Sequence, residues 1–305
     1  MIAHLKGREK ALEAFGWTGA KAEWIALVCL HSGVFTRAQL LESLRVHRGT
    51  VRRFVRALTT RRLAAEEMFE GHKVCRVHAR SLYRALGAEH IRHRRSASTQ
   101  VLTRRLLSLD YVIEHTGLPW LPTEDEKVAA FEGLGLDRAL LPAKVYGTGG
   151  TTTRRHFPVK LPIAMDSGSA LFVYVDPGHD TSTALRSWGA AHRGLWEAIR
   201  ERGRSVEVVA VGRRRRETQR ARRVMRGWAE DTGPALPVAA IREEIARIKQ
   251  AVRGMDEALV EKLGGLQGCL VRIVELEDRL ASARPGKAID GFATWRSSRI
   301  PGGMV

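Results

Sequence analysis

The chain has 305 residues, 44% of them hydrophobic and 28% charged, enough to bury more than one core and too apolar for a disordered tail. Lysine and arginine total 51 against 33 acids, a formal net charge of +18, and only ten of those cations are lysine. No stretch approaches the roughly 18–20 uninterrupted apolar residues of a membrane span, and residues 1–10 lack a signal-peptide core, so a cytoplasmic, nucleoid-associated bacterial protein is expected.

Residues 1–19 suggest a short leader helix broken by Gly16 and Gly19. From Ala20, Trp24, Ile25, Leu27, Val28 and Leu30 form one apolar stripe that stops at Ser32 and Gly33. Thr36 is a good N-cap for a helix over 37–43, with Leu40 and Leu41 facing inward. After a break at 45–49, Thr50 opens, or lies just inside, a third helix reaching about Arg62, with Val51, Phe54, Val55 and Leu58 as its buried face. Two strand-like runs, 63–69 and 73–78, are joined by Glu70, Gly71 and His72, whose glycine can supply a positive φ. A helix over 79–86 follows. Helix, helix, turn, helix, hairpin is the order of a winged helix-turn-helix, placed at 1–90.

Residues 91–150 are expected to form a helical connector. It begins with the basic run Arg92, His93, Arg94 and Arg95 and contains helices over 100–115 and from Glu124. Gly147, Gly149 and Gly150 place a loop over 147–155; no Gly-Lys-Ser/Thr follows, so this is no phosphate loop of the Walker type. Within 151–232 an edge strand over 157–165, a turn at Asp166, a doubly buried strand over 170–175, a helix reaching Arg202 and a second buried strand over 206–211 make a β-β-α-β unit. Residues 213–226 hold eight arginines against one glutamate, Glu217, on an expected helix. Gly233, Pro234 and Pro237 mark a linker. Ile241, Ile245, Ile248, Val252, Met255 and Leu259 then repeat at coiled-coil steps, followed by a second set from Leu263 to Leu280. This 240–282 segment offers a seam for a homodimer, or folds back at Gly264 and Gly265 as an intramolecular hairpin. The tail at 285–305 is expected to be disordered. The fold class expected is therefore α+β: winged helix-turn-helix, central degenerate restriction-endonuclease-like α/β domain, and C-terminal coiled-coil helices.

Three candidate chemistries follow. Arg48, Thr50, Arg52, Arg53 and Arg56 lie at or near the start of the third helix, away from its apolar face. A recognition helix presents such residues to base edges in the major groove. Arg61, Arg62 and the wing residues His72 and Lys73 are placed to grip the flanking backbone, and Arg213, Arg214, Arg215 and Arg216 to hold phosphate. Double-stranded DNA is the expected partner, and a solvated basic helix that binds protein instead is the bland alternative.

A Mg²⁺-dependent nuclease would need two acids and a lysine around one metal. Asp166, Asp176 and Lys160 are the candidates, but the second strand reads Val173-Tyr174-Val175-Asp176-Pro177-Gly178 and carries no lysine partner. Asp176 and Asp180 are equally well explained as turn and N-cap residues, so no catalytic set is expected. The cysteines, Cys29, Cys75 and Cys269, are far apart and have no histidine at zinc-ligand spacing. Neither a metal nor a cofactor is expected.

The region from Thr36 to Leu63, with the run Phe172-Val173-Tyr174-Val175-Asp176-Pro177-Gly178 and the valine-rich 206–211, resembles the replication-relaxation family over about residues 20–212. That resemblance implies DNA association on plasmids and integrative elements, and the reading of the whole chain is a sequence-specific regulator or accessory factor of such an element. A nuclease and a protein-binding scaffold with nonspecific DNA affinity are the other two readings.

Overall fold

The computed structural model describes residues 2–147, 152–178, 180–230, 238–254, 256–282 and 287–300. The protein is a mixed α+β fold. A 3₁₀ leader (Arg8–Phe15) precedes α1 (Gly19–His31), whose Trp24-to-His31 run is wholly buried. Gly33 stops α1 at a φ of +74°, and a Cβ there would meet the Cβ and backbone of His93 at 2.6 Å. Only glycine meets both demands. β1 (Val34–Thr36) leads directly into α2 (Arg37–Leu44), whose N-terminus is closed by a reciprocal pair: Thr36 Oγ1 accepts from Gln39 N, and Gln39 Oε1 accepts from Thr36 N. Then come α3 (Arg48–Thr60), β2 (Ala64–Phe69), β3 (His72–Val77) and α4 (Arg80–Ala85). The three strands form an antiparallel sheet in the order β1-β3-β2.

α5 (Thr99–Glu114) and α6 (Glu124–Glu132) follow, then the hairpin β4 (Ala143–Tyr146) and β5 (Thr153–His156). The second sheet contains β6 (Ile163–Met165) and β7 (Ser169–Val175), then α7 (Ser182–Glu201), β8 (Ser205–Gly212) and α8 (Arg215–Ala229). After α9 (Val238–Gly254), α10 (Glu257–Lys262) and α11 (Gly265–Ser282), the chain returns as β9 (Gly291–Arg296). Sheet order is β6-β7-β8-β9, antiparallel at the first pair and parallel at the other two.

Several expectations need correction. Within the expected loop over 147–155, residues 153–155 belong to a strand, because 143–146 and 153–156 pair in register; residues 148–151, with Gly149 and Gly150, lie outside the described residues. The edge strand is shorter than 157–165. Phe157 and Lys160 take positive φ values of 47° and 56°, which break an extended chain, so only Ile163–Met165 pairs. The tail is not disordered over 287–300: β9 adds to β8, and Asp290 accepts from Val206 N (2.9 Å) and Arg200 Nε. The expected linker at Gly233, Pro234 and Pro237, with Met255 and residues 301–305, lies outside the described residues.

Of the two arrangements expected for 240–282, the fold-back within the chain is the contact present. α11 folds back on α9, burying Ile241, Ile245 and Ile248 against Cys269, Ile273 and Leu276. Lys249–Glu277 (2.7 Å) and Arg272–Glu244 (2.8 Å) flank the contact, and α9 is tied to α7 through Arg242–Glu197 (3.0 Å). Leu266, Leu270, Val271 and Val274 of α11 stay exposed.

Among the described residues, one apolar cluster reaches from Leu5 to Ile300. α5 sits at its middle rather than acting as a spacer. Its Asp110 is fully buried and accepts from Ser297 Oγ (2.5 Å), Gln39 Nε2 (3.3 Å) and Arg299 (3.3 Å). One carboxylate thus ties α2, α5 and the segment after β9 together. Burial raises its pKa, opposed by those three partners.

Candidate nucleic-acid interface

α3 divides sharply into two faces. Val51 (3%), Phe54 (4%), Val55 (1%) and Leu58 (0% exposed) pack inward, with Phe54 edge-on to Trp17 at 5.2 Å. Arg48, Arg52, Arg53 and Arg56 are exposed on the other side, and Thr50, half-buried, receives a 3.5 Å contact from Arg53 Nη2. The helix starts at Arg48, slightly before Thr50, after His47. No side chain caps that end and the first turn contains no acid, so the positive end of the helix dipole adds to the arginine charge. The surface offers fork-shaped donors that no carboxylate pairs with among the described residues.

The β2–β3 hairpin turns at Glu70 and Gly71, with φ values of 45° and 80°. Arg62, His72 and Lys73 are exposed around it. Arg61 is used differently from expectation: its Nη1 donates to Phe15 O (2.9 Å) and its guanidinium lies 5.0 Å above Trp17, holding the leader in place. Arg213 also departs from expectation. Its side chain is 4% exposed and pairs with Glu70 at 2.5 Å, so it is closed to a phosphate and instead pins the β2–β3 turn beside the start of α8. Nothing in local sequence announces a pair 143 residues apart.

α8 keeps Ala221, Val224 and Met225 inward and leaves Arg215, Arg216, Arg222, Arg223 and Arg226 exposed. Buried Glu217 accepts from Arg213 N (2.7 Å) and Arg214 N (3.0 Å), closing the helix start that β8 runs into. The 213–216 group therefore splits: Arg213 is structural, Arg214 is half-buried, and Arg215 and Arg216 face solvent.

The three candidates for nuclease chemistry are not brought together. Asp166 caps the β6–β7 turn, accepting from Gly168 N (2.8 Å) and Ser169 N (2.7 Å). Asp176 stands at the other end of β7, a separation of about 20 Å or more at the rise of a strand. Lys160 makes no hydrogen bond or ion pair to either carboxylate. Asp176 accepts from Gly178 N (2.7 Å) and is paired with Arg220, so its charge is already answered by the protein. Burial raises its pKa, and Gly178 and Arg220 oppose the shift. Tyr174 donates to Asp180 (2.6 Å) beside it. Among the described residues no group of three or more His, Cys, Asp or Glu side chains is gathered as a metal site would need.

No described helix is long and apolar enough to cross a membrane. Comparison with family models, with curated proteins and with solved structures gives no match.

Proposed function

We propose that this chain binds double-stranded DNA, with residues 19–77 as a winged helix-turn-helix and α3 as its recognition helix. The observation that carries the reading is the solvent face of α3: Arg48, Arg52, Arg53 and Arg56 exposed at an uncapped, acid-free helix start, over a fully buried opposite face. The order helix, strand, helix, helix, hairpin, with β3 between β1 and β2, supports the winged-helix assignment. The Arg213–Glu70 pair fastens the β2–β3 turn beside the start of α8, whose outer arginines would meet phosphates beyond the groove. A sequence-specific regulator or accessory factor of a mobile genetic element is the role that the replication-relaxation resemblance adds, and a nucleoid-associated cytoplasmic location accompanies it. A homodimer built on 240–282 would use Leu266, Leu270 and Val274 rather than the α9 seam.

The test is selection from a genomic-fragment pool at fixed salt, with wild type beside Arg52→Ala/Arg53→Ala. Enrichment of a discrete site, lost in the double variant, is expected. Removing two phosphate or base contacts should also flatten the slope of log K against log salt by up to about 1.8. Uniform weak binding to all fragments, unchanged in the variant, refutes the reading and favours a protein-binding scaffold.

A further inference from the structure

A cleft of about 830 Å³ lies between the segment after α4, α5, the start of α6 and the β4–β5 hairpin, within the size range of small-molecule sites. Six cations line it, Arg92, Arg104, Arg105, Arg155, Lys127 and Lys160, against two acids, Glu124 and Asp125. The protein itself occupies most of these charges. Arg105 donates to the carbonyls of His93 (3.0 Å) and Arg95 (3.3 Å), and Arg104 lies 3.6 Å from Asp180. Arg155 lies 3.7 Å from Glu124, whose other oxygen accepts from His156 N, and Lys127 donates to Leu161 O (2.6 Å).

Two cations are left over. Arg92, after α4, and Lys160, after β5, both line the cleft, are exposed, and have no side-chain hydrogen-bond or ion-pair partner among the described residues. Lys160 is held at φ 56° by its N–H bond to Phe157 O (2.9 Å), so the backbone fixes where its side chain starts. A cationic wall without a counter-charge is self-repelling, and an anion held by Arg92 and Lys160 removes that repulsion. Tyr146, half-exposed on the hairpin, adds an aromatic face to the same lining.

We propose that this cleft binds a phosphorylated small molecule of nucleotide size, its phosphates between Arg92 and Lys160 and its ring against Tyr146. The site is separate from the α3 surface, so the proposal stands or falls independently of the DNA reading. Burial and the neighbouring cations Arg105, Arg92 and Arg155, opposed by Glu124, have drawn the Lys160 ammonium down to about 8. A bound phosphate should return that proton, and Lys127, drawn down to about 7, should respond in the same direction.

The experiment is isothermal titration of the full chain with ATP, tripolyphosphate and adenosine at about pH 8, in two buffers of different ionisation enthalpy. Expected are saturable binding of one ATP per chain with net proton uptake, weaker binding of tripolyphosphate, and none of adenosine. Arg92→Gln/Lys160→Gln should weaken ATP roughly tenfold or more, the loss expected for charge-assisted hydrogen bonds; both side chains are exposed, so the fold tolerates the change. Arg52→Ala/Arg53→Ala should bind ATP as wild type does. The proposal is overturned by absence of saturable binding, by binding indifferent to Arg92→Gln/Lys160→Gln, or by binding lost in Arg52→Ala/Arg53→Ala, which would put the phosphates on α3.

Discussion

Replacing Lys127 with methionine should stabilise the protein near neutral pH and lose that advantage as pH rises. Lys127 is 3% exposed; its ammonium donates to Leu161 O (2.6 Å) and lies 5.8 Å from the centre of the Phe157 ring, with no carboxylate in an ion pair. Burial first, and repulsion from Lys160 second, draw its pKa from 10.5 to about 7. At about 1.4 kcal/mol per pH unit, that gap corresponds to about 5 kcal/mol of cost in carrying the charge into the fold. The sign follows from proton binding. Between about 7 and 10.5 the unfolded chain holds the proton and the folded chain has released it, so stability rises with pH across that window. Below about 7 the full cost is present. Methionine removes the charge but leaves Leu161 O without its donor, which returns about 1–3 kcal/mol. The variant should therefore be about 2–4 kcal/mol more stable than wild type near pH 6.5, and no more stable near pH 10. Urea unfolding across that range reads the difference directly. A difference that does not change with pH would refute the argument, because it would mean that Lys127 titrates alike in both states.

Three further outcomes test other parts of the structure. Asp110→Ala should cost about 3–5 kcal/mol, the price of stranding the buried donors of Gln39, Ser297 and Arg299, and should raise amide exchange across β9; wild-type exchange there would show that the node does not hold the terminal segment. Gly33→Ala forces a side chain into the left-handed region, about 1–2 kcal/mol, and onto the His93 backbone at 2.6 Å. A loss of about 3 kcal/mol or more in thermal unfolding is expected, and an unchanged midpoint would contradict the close approach. Leu270→Glu/Val274→Glu should convert a sedimenting dimer to monomer without loss of helix content, whereas a monomeric wild type would rule out dimerisation on α11.

What was legible in the residues was what neighbours along the chain decide. The Thr36 cap, the positive-φ turn at Glu70 and Gly71, and the 3.6-residue spacing of Val51, Phe54, Val55 and Leu58 are local, and the elements they announce form where expected. The same spacing places Arg48, Arg52, Arg53 and Arg56 on the open face without any tertiary information. The hairpin over 143–156 was not legible because Ala143 to Tyr146 is exposed throughout, leaving no alternation of buried and exposed side chains to see.

Sequence alone determined the exposed arginine face of α3, the apolar strands β7 and β8, and the amphipathic helices of 238–282. Each of these follows from a period of two or 3.6 residues acting over a few turns. Tertiary structure alone decided what those elements meet. An apolar stripe of Ile241, Ile245 and Ile248 is equally satisfied by a second chain or by α11, since the hydrophobic effect has no direction. β9 becomes a strand only because β8 presents an unpaired edge to it. Arg213 is removed from the basic surface by Glu70, and Arg92 is brought into the same cleft as Lys160, by chain crossings that no local pattern encodes.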